Sequence, residues 1–591
     1  MARTVGTGVG VMAGVRAVVQ AIEGPVQRPE SLGTRQQQHA GRKSPDAMGT
    51  RAHETSKIAL HRPPSIGSAG ISVHLDRRGP LPPPGLHHND GTSEAFVASN
   101  HARPAPWDAL EVSMLFRMIY DESLAQAAYL IGCQRTGEAI VVDPERDVDR
   151  YERLAASEGL RITSVAETHI HADFVSGARE LAERGAKVFV SDEGDADWKY
   201  QWLDKRSTGG AYDHQLLKDG DTFMVGHVEF RAVHTPGHTP EHICFMVTDR
   251  GGGADEPMGV ITGDFLFVGD LGRPDLLESA AGMAGAADSS AHRLWHSVKR
   301  FMSWPEFMQV WPAHGAGSAC GKALGAVPQT TVGYERRFNP ALHAARSEQG
   351  FVDFILADQP EPPLYFAHMK RDNKMGPRVL GGVPVPREMT PEAFARLDGR
   401  VTAIVDTRSW NLFRRGHVAG SLSLPLGRSF NQDAGSMVSE GETIHLVVEP
   451  SRLEETVREL IRVGLDRFGG WIAPDRMEAV AGAGAVMATV PQVGVEEARA
   501  MLETQRPLVL DVRRATEFAA AHIAGATNIA HTRLLARIQE LPADRPILVH
   551  CQLGGRSAKA ASLLQRHGRT VTDLAGGFAA WRAAHEPITV Q

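Results

Sequence analysis

Several features are scarce in this 591-residue chain, and each absence excludes a class of protein. The chain has four cysteines and no CxxC pair. Four cysteines cannot form a disulfide framework for a chain of this size, so a disulfide-rich secreted scaffold is excluded and a reducing compartment is expected. No apolar run approaches the roughly 18–20 residues of a transmembrane helix, so no membrane partner is expected.

The chain also lacks a large excess of positive or negative charge. Lys and Arg number 63 against 70 Asp and Glu, which gives a formal net charge of −7. Nucleic-acid binding and attachment to an anionic membrane both depend on a basic surface, so neither is expected. Hydrophobic residues make up 42% of the chain. Its length and composition are those of a soluble protein with three to four domains.

The first 111 residues lack sustained hydrophobic periodicity. They are rich in Gly, Pro, Ser, Gln and His. Such a composition cannot bury enough apolar surface to offset chain entropy, so residues 1–111 are predicted to be a disordered extension. The first 50 residues contain six basic and three acidic residues, so a transit peptide is the alternative. A cytoplasmic location is expected, or the mitochondrial matrix if the extension is a transit peptide.

Short apolar strands alternate with helical stretches over residues 112–360. The strand patterns include EAIVVD, KVFV and ICFMV, and the helical ones include DVDRYERLAASEGL and GARELAERG. This alternation is typical of a layered α/β domain. A proline-rich stretch follows it, and residues 361–384 are predicted to be a linker.

The C-terminal part contains an internal repeat. VDTR at 405–408 matches LDVR at 510–513, and HVAGS at 417–421 matches HIAGA at 522–526, both at a spacing of 105 residues. Two copies of one α/β domain are therefore predicted, over residues 385–483 and 490–591.

Candidate metal ligands follow four apolar strands in the N-terminal domain. They lie in THIHADF, HTPGH, TGD and PAHG: His169, His171, Asp173, His238, Asp264 and His314. Side chains two residues apart on an extended segment point the same way, so the alternating His, His and Asp aim at one point. A lone histidine is usually structural, but four such sites at strand ends favour a metal centre.

This pattern resembles the metallo-β-lactamase superfamily, whose HxHxDH motif is followed by His, Asp and His. The resemblance covers about residues 114–360 and implies an αββα sandwich. Dinuclear hydrolases of the superfamily have a histidine where this chain has Phe174. Phenylalanine cannot bind a metal, so a single metal ion is expected.

Within the superfamily, the chain is similar to the persulfide dioxygenases. The matching stretches are THIHADFVSG, HTPGHTPEH, ITGDFLFVGDLGRPDL and PAHGAGSACGK. The resemblance implies one Fe(II) bound by His169, His238 and Asp264, which is the facial triad of non-haem iron enzymes. It implies that three further residues surround these ligands or bind metal themselves: His171, Asp173 and His314.

Two residues near these motifs have alternative interpretations. Arg273, in GRPD, matches a family position implicated in binding the substrate's thiol carrier, and the alternative is a structural ion pair. Cys320, in GAGSACGK, is either a small buried residue or a redox or sulfur-handling group.

Residues 547–557 have the pattern of a strand, a tight loop and a helix. Cys551 lies in the loop, where backbone N–H groups, a helix N-terminus and Arg556 favour the thiolate. Four residues separate Cys551 from Arg556, whereas cysteine phosphatases have five residues between their cysteine and arginine. With DVR, AHIAGA and GGFAAW, the region resembles the rhodanese domains, which implies that Cys551 carries sulfur beside Arg556. A structural cysteine is the alternative.

The first copy of the repeat lacks this nucleophile. Alignment of the two copies places Glu449 at the position of Cys551, and Pro450 follows it. Glutamate cannot accept a sulfane sulfur. Residues 385–483 are therefore predicted to be a degenerate rhodanese-like domain that serves as a spacer or docking surface.

Three functions are compatible with these observations. The first is iron-dependent oxidation of a low-molecular-weight persulfide by O2 to sulfite and thiol, coupled to rhodanese exchange among sulfite, thiosulfate and persulfide in sulfide detoxification, with a homo-oligomer possible. The second is a zinc thioester hydrolase of the glyoxalase II type with an attached sulfurtransferase, which Phe174 disfavours because that chemistry normally uses two metals. The third is a non-catalytic sulfur-binding scaffold, which requires both sites to be vestigial.

Overall fold

A computed structural model describes residues 114–279, 285–322 and 324–590. The predicted disordered extension, residues 1–111, lies outside the described residues. The strands up to residue 331 are β1 (Met114–Asp121), β2 (Gln126–Cys133), β3 (Glu138–Val142), β4 (Arg161–Ala166), β5 (Lys187–Ser191), β6 (His214–Leu217), β7 (Thr222–Val225), β8 (Val228–His234), β9 (Ile243–Asp249), β10 (Gly259–Gly263), β11 (Leu266–Phe267), β12 (Asp270–Leu271), β13 (Gln309–Pro312) and β14 (Thr330–Thr331).

These strands form two six-stranded sheets and a small hairpin of β11 and β12. The first sheet has the order β1-β2-β3-β4-β5-β6, antiparallel between β1, β2 and β3 and parallel from β3 to β6. The second has the order β14-β13-β10-β9-β8-β7, with one parallel pair, β10 and β13.

The two sheets pack face to face, and helices cover their outer faces. The buried strand β2 shows why, because its apolar residues alternate between the two layers. Tyr129 and Ile131 pack between the sheets with Phe230 and Phe245, whereas Leu130 packs under the outer helices. The helices of this region are α1 (Asp149–Ser157), α2 (Ala178–Glu183), α3 (Leu276–Ser279), α4 (Ala286–Phe301), α5 (Val332–Phe338), α6 (Pro340–Ala344) and α7 (Glu348–Leu356).

This arrangement is an αββα sandwich, as predicted. Helices α1 and α2 contribute to the core against the first sheet, and α4, α6 and α7 to the core against the second. The predicted strands EAIVVD, KVFV and ICFMV are β3, β5 and β9, and the two predicted helices are α1 and α2.

The C-terminal region contains two parallel sheets. Its strands are β15 (Ala403–Asp406), β16 (His417–Val418), β17 (Leu422–Ser423), β18 (Ile444–Val447), β19 (Phe468–Ile472), β20 (Met487–Ala488), β21 (Gln492–Val493), β22 (Leu508–Asp511), β23 (Ala521–Ile523), β24 (Thr527–Asn528), β25 (Ile547–His550), β26 (Val571–Leu574) and β27 (Ile588–Val590). Its helices are α9 (Pro391–Ala395), α10 (Trp410–Phe413), α11 (Phe430–Met437), α12 (Leu453–Arg462), α13 (Met477–Gly482), α14 (Val495–Thr504), α15 (Ala515–Ala520), α16 (Leu534–Arg537), α17 (Gly555–Arg566) and α18 (Gly577–Ala583).

The predicted repeat is visible in the strand order. One sheet runs β17-β15-β18-β19 and the other β21-β26-β25-β22-β24, and each is accompanied by a separate antiparallel pair, β16 with β20 and β23 with β27. Strands β15 and β22 are related by the predicted spacing of 105 residues, as are β17 and β24. We refer to residues 385–483 as the middle domain and to residues 490–591 as the last domain.

Residues 361–384, predicted to be a linker, contain helix α8 (Phe366–Met375). Phe366, Met369 and Asn373 on this helix are buried. They belong to the packing around the N-terminal domain, so this segment is a structural element and not a simple connection.

The middle domain is held against the N-terminal sandwich by buried ion pairs. The Arg462 guanidinium on α12 lies 2.8 Å from a carboxylate oxygen of Asp147 and 3.0 Å from one of Glu145. It also pairs with Asp121 at 2.5 Å. A single apolar core then continues from this region into the last domain, and Phe174, Leu446 and Val549 are all part of it.

No helix among residues 114–279, 285–322 and 324–590 has both the length and the apolarity needed to cross a bilayer.

Candidate metal centre and sulfur-transfer loop

The predicted metal-binding residues come from segments that follow β4, β8, β10 and β13 at one edge of the sandwich. Each of these segments turns sharply after its strand, and Gly263 at the end of β10 illustrates how little space the turn leaves for a side chain. Its φ is +50°, and a Cβ at this position would lie 2.5 Å from Thr168 Oγ1 and 2.7 Å from His242 Nε2. Only glycine allows this approach, which brings Asp264 beside the histidines.

Three buried donors converge at this edge. His238 Nε2 lies 3.4 Å from Asp264 Oδ2, and His169 Nε2 lies 3.9 Å from the same oxygen. The three side chains are at most 3% exposed. His169 Nε2 and both Asp264 carboxylate oxygens have no hydrogen-bond partner among the described residues. Buried polar atoms without partners are costly, so two imidazoles and a carboxylate arranged in this way fit a metal ion.

Hydrogen bonds orient both imidazoles. His238 Nδ1 donates to the Arg273 carbonyl oxygen at 3.1 Å. Thr168 Oγ1 donates to Asp143 at 2.9 Å and lies 3.0 Å from His169 Nδ1, so this imidazole donates to the hydroxyl. In each case the proton is on Nδ1, and the Nε2 lone pair faces Asp264.

Burial also keeps these imidazoles neutral. It lowers the pKa of His238 to about 4 and the pKa of His169 well below its ordinary value. Neutral imidazole is the form that binds a metal. For Asp264, burial favours the protonated acid, but the neighbouring His314 and His238 outweigh it and hold the pKa well below its usual range.

His171 lies beside this triad but points elsewhere. Its Nε2 is 2.9 Å from Glu167 and 3.1 Å from Asp143. Although burial opposes protonation, the two carboxylates raise the pKa of His171 well above its ordinary value. Its Nε2 thus faces two buried carboxylates and not Asp264, and its ring lies 4.2 Å from that of His169.

A second group of donors adjoins the triad. His314 Nε2 lies 3.2 Å from Asp173 Oδ2 and 3.3 Å from Asp264 Oδ1. Cys320 completes the group, because its sulfur lies within 4.8 Å of donor atoms of both Asp173 and His314. Burial raises the pKa of the Cys320 thiol to about 12. The sequence suggested Cys320 as a redox or a packing residue but did not place it in this group.

Phe174 occupies the place of the missing histidine ligand. Its ring is fully buried, 4.5 Å from that of His171, and belongs to the core shared with the middle and last domains. Its carbonyl oxygen accepts a hydrogen bond from Asn373 Nδ2 on α8. A position that binds metal in dinuclear hydrolases thus serves packing between domains in this chain.

Arg273 is 1% exposed and fully engaged. Its guanidinium makes two hydrogen bonds to Asp275, at 2.8 and 2.6 Å, and a third to the Ala319 carbonyl oxygen at 3.1 Å. These contacts match the structural alternative. Its role in substrate binding stays a prediction.

Sequence reasoning missed three residues that hold the metal-binding segments. The backbone N–H of Asp264 donates to His242 Nε2 at 3.1 Å, and that of Ile170 donates to Glu241 Oε1 at 2.8 Å. Asn373 Nδ2 donates to the His171 carbonyl oxygen at 2.9 Å. His242 and Glu241 lie in the TPEH stretch, which the family resemblance had already marked. Nothing in the sequence of α8 indicated Asn373.

Cys551 lies directly after β25, as predicted, with α17 beginning at Gly555. Its sulfur accepts a hydrogen bond from the Gly554 N–H at 3.1 Å, and the residue is 2% exposed. Gly577 passes so close that a Cβ there would lie 2.3 Å from the Cys551 carbonyl oxygen. The loop is therefore fixed from both sides.

Arg556 does not hydrogen-bond to the Cys551 sulfur. Its guanidinium makes two hydrogen bonds to the Glu517 carboxylate on α15, at 2.6 and 2.9 Å. In the middle domain, the predicted match of Glu449 to Cys551 is wrong by one residue. Val447 pairs with Asp406 as His550 pairs with Asp511, so buried Val448 takes the place of Cys551. Glu449 is exposed, and residues 450–452 form a short 3-10 turn.

Comparisons with known proteins agree with this architecture. The metallo-beta-lactamase superfamily matches residues 123–306, and the rhodanese-like domain family matches residues 494–584. A crystal structure of a metallo-beta-lactamase from Staphylococcus aureus is 37% identical, with a TM-score of 0.55, and the alignment covers 61% of this chain and 99% of that one. The chain therefore belongs to the metallo-beta-lactamase superfamily, with a rhodanese-like domain at its C-terminal end.

Curated relatives match part of the chain at lower identity. A beta-lactamase hydrolase-like protein of Xylella fastidiosa is 28% identical over 44% of this chain, which spans 60% of that relative's length. The mitochondrial persulfide dioxygenase ETHE1 of Bos taurus is 26% identical over 39% of this chain and 76% of its own length. The degenerate rhodanese-like assignment of residues 385–483 rests on the repeated strand order and stays a prediction.

Proposed function

We propose that this protein oxidises a low-molecular-weight persulfide with O2 and exchanges sulfane sulfur at Cys551, in sulfide detoxification. The observation that carries the proposal is the buried triad of His169, His238 and Asp264, whose donor atoms lie within 4.8 Å of one another. Among the described residues, His169 Nε2 and both Asp264 carboxylate oxygens have no hydrogen-bond partner. The similarity to a persulfide dioxygenase and the attached rhodanese-like domain support the same sulfur chemistry.

The overall reaction balances as RSSH + O2 + H2O → RSH + SO3²⁻ + 2H⁺. The outer sulfur loses four electrons and O2 gains them, while the S–S bond breaks and the thiol leaves. A single Fe(II), when bound by the triad, supplies redox activity and open coordination positions for small ligands. Zinc, which has no redox chemistry, supplies no such activity.

The chain itself contributes fixed geometry and charge. The Nδ1 hydrogen bonds of His169 and His238 hold both imidazoles in one tautomer, so the site is organised before substrate arrives. His314 Nε2 lies between the carboxylates of Asp173 and Asp264, at 3.2 and 3.3 Å. Burial of these side chains excludes bulk water from the site.

At the last domain, the Cys551 sulfur attacks a sulfane sulfur and becomes a persulfide. With thiosulfate as donor, the S–S bond breaks and sulfite leaves; the reverse step gives thiosulfate. Sulfite made at the metal centre is therefore a reactant or product of the second site, and the fusion keeps the two activities in one molecule.

The test uses anaerobically purified full-length protein with persulfide-dependent O2 uptake, sulfite and thiosulfate measured together. His169→Ala and Asp264→Ala are expected to abolish O2 uptake and to leave thiocyanate formation from thiosulfate and cyanide at Cys551. Cys551→Ser is expected to do the reverse. Loss of both activities in Cys551→Ser would contradict two independent sites.

A second candidate function is a zinc thioester hydrolase, and the group of Asp173, His314 and Cys320 favours it because it offers donors for a second metal. Metal analysis separates the two. About one iron per chain is expected for persulfide oxidation, whereas two zinc ions with thioester hydrolysis would support the hydrolase.

A further inference from the structure

Two adjoining cavities lie where the three domains meet. The first, of about 290 Å³, is lined by Asp173 and Leu124 of the N-terminal domain, by Phe366 on α8, and by Arg428 and Gln432 of the middle domain. Because Asp173 also contacts His314, this cavity reaches the metal centre. The approach to the metal is therefore not built by the N-terminal domain alone.

The second cavity, of about 200 Å³, continues the first. Both are lined by residues 317–319 and by Gln432, and the second extends to Arg514 and Thr532 in the last domain. Together they form a cleft that begins at the metal centre and ends beside α15. We call it the three-domain cleft.

The cleft changes character along its length. Its inner part has the apolar side chains Leu124 and Phe366, whereas polar groups from the two rhodanese-like copies line its outer part. Among the described residues, neither the side-chain amide of Gln432 nor the Arg514 guanidinium has a hydrogen-bond partner. Arg428 has one ion pair, with Glu122 at 3.6 Å, and both side chains are largely exposed at 87% and 75%.

Such an exposed pair is weak and leaves the arginine available to another anion. Arg273, by contrast, is enclosed and saturated by Asp275 and Ala319. Lys322 and Glu361 also line the second cavity, and the Lys322 ammonium donates to the carbonyl oxygens of Phe354 and Ala357 at 2.6 and 2.7 Å. The guanidinium groups open to a molecule in the cleft are thus Arg428 of the middle domain and Arg514 of the last domain.

We propose that the three-domain cleft binds the thiol carrier of the persulfide, that the carrier is anionic, and that the middle domain supplies part of its binding site through Arg428 and Gln432. The sulfur end lies toward Asp173 and the negatively charged end toward the arginines. This inference rests on the proposed persulfide oxidation and gives the domain without a cysteine a role in substrate binding.

The test compares Arg428→Glu with Arg415→Glu, an exposed arginine of the same domain outside the cleft. The full-length iron-loaded proteins are assayed with glutathione persulfide, whose carrier is anionic, and with the persulfide of 2-mercaptoethanol, whose carrier is neutral. For Arg428→Glu we expect the KM for glutathione persulfide to rise about five-fold with kcat within two-fold, because an exposed attraction becomes a repulsion. The KM for the neutral persulfide is expected to stay within two-fold.

A second readout does not depend on turnover. Calorimetric binding of glutathione to the metal-free full-length chain is expected to weaken about five-fold in Arg428→Glu and to stay unchanged in Arg415→Glu. Equal changes for both persulfides, equal changes in both variants, or wild-type affinity for glutathione in Arg428→Glu would overturn the inference. If wild-type protein oxidises neither persulfide, persulfide oxidation fails, and the calorimetric comparison still decides the role of the cleft.

Discussion

The two copies of the C-terminal repeat share one scaffold, but only the last domain has a cysteine after its central strand. In the middle domain the Arg408 guanidinium forms an ion pair with the Asp406 carboxylate at 2.6 Å. In the last domain Arg513 forms the same ion pair with Asp511, also at 2.6 Å. The DxR motif is therefore present whether or not a cysteine follows. This ion pair stabilises the end of the first parallel strand of each copy.

A second shared feature is a stacked pair of rings. Phe413 stacks on His417, and Phe518 stacks on His522, both with centroids 3.8 Å apart. Each histidine Nδ1 lies 2.9 Å from the carbonyl oxygen of its phenylalanine. Because both copies have them, these pairs are features of the shared scaffold.

What differs is confined to the loop and its partner. Buried Val448 takes the position of Cys551, because Val447 pairs with Asp406 as His550 pairs with Asp511. Glu517, which binds Arg556, corresponds to Leu412 at the spacing of 105 residues. The nucleophile and the carboxylate that holds the loop arginine are thus absent together. This difference indicates that Glu517 belongs to the sulfur-transfer site, whereas the shared pairs belong to the scaffold.

The largest effect is expected from removing a contact that the last domain lacks, the ion pairs that attach the middle domain to the N-terminal sandwich. Arg462→Ala leaves Asp121, Glu145 and Asp147 buried without this cation, so we expect the free energy of unfolding to fall by about 3–5 kcal/mol. Urea denaturation measures it. The exposed Arg467→Ala is the control and is expected to change stability by less than about 0.5 kcal/mol; equal losses would refute a specific role for Arg462.

The contact between the two copies offers a smaller and pH-dependent test. Asp433 on α11 accepts hydrogen bonds from Lys559, Ser429 and His531, the last at 3.0 Å. Although burial alone raises it, His531 and Lys559 hold the pKa of Asp433 below its usual range. Its contribution is therefore present above the unfolded pKa of about 3.9 and is lost as pH falls through the lower folded pKa.

We expect Asp433→Asn to cost about 2–3 kcal/mol at pH 7, because Lys559 loses its charged partner. The difference in melting temperature between wild type and this variant should shrink as pH falls below about 4. Exposed Asp475→Asn serves as the control. A difference that stays constant from pH 7 to pH 3 would show that the Asp433 charge does not hold the copies together.

The sequence was sufficient wherever a site is built from residues close to a strand end. HIHAD, TPGH and TGD each follow a strand whose apolar pattern is clear, and the layered fold fixes that such ends meet at one edge. The same holds for Cys551, because strand, loop and helix lie within about twenty residues. For these segments, local pattern and family resemblance together predicted which residues the structure brings together.

Contacts distant in the chain could not be predicted. Asn373 and Phe366 lie on α8, whose sequence is polar and follows a proline-rich stretch, so it resembled a linker. The pairing of Arg462 with Asp147 joins residues more than 300 positions apart, and an arginine on an amphipathic helix is usually exposed. The burial of Arg273 likewise depends on where residues 317–319 fold back.

The pairing of Arg556 with Glu517 predicts a modest gain of function. In Glu517→Gln the guanidinium keeps its place but loses a competing anion, so the KM for thiosulfate is expected to fall about three-fold. Steady-state thiocyanate formation measures this. Glu540→Gln, which alters an exposed pair with Arg537, is the control. A rise in KM would mean that Glu517 orients Arg556 and does not compete with the substrate.

The smallest expected effect comes from introducing an exposed cysteine into the middle domain, one residue after Val448, which takes the place of Cys551. Glu449→Cys, made in a Cys551→Ser background, is expected to give no thiocyanate above background and to change stability by less than about 0.5 kcal/mol, because the position is exposed. At Cys551 the sulfur receives the Gly554 N–H at 3.1 Å. At Glu449 the next residue is Pro450, which has no N–H to donate, and the chain enters a 3-10 turn.

Alkylation by iodoacetamide verifies that the new thiol is accessible. Transfer at more than about 1% of the wild-type rate would show that a cysteine alone makes this scaffold a sulfurtransferase, and that the loop and Glu517 are dispensable.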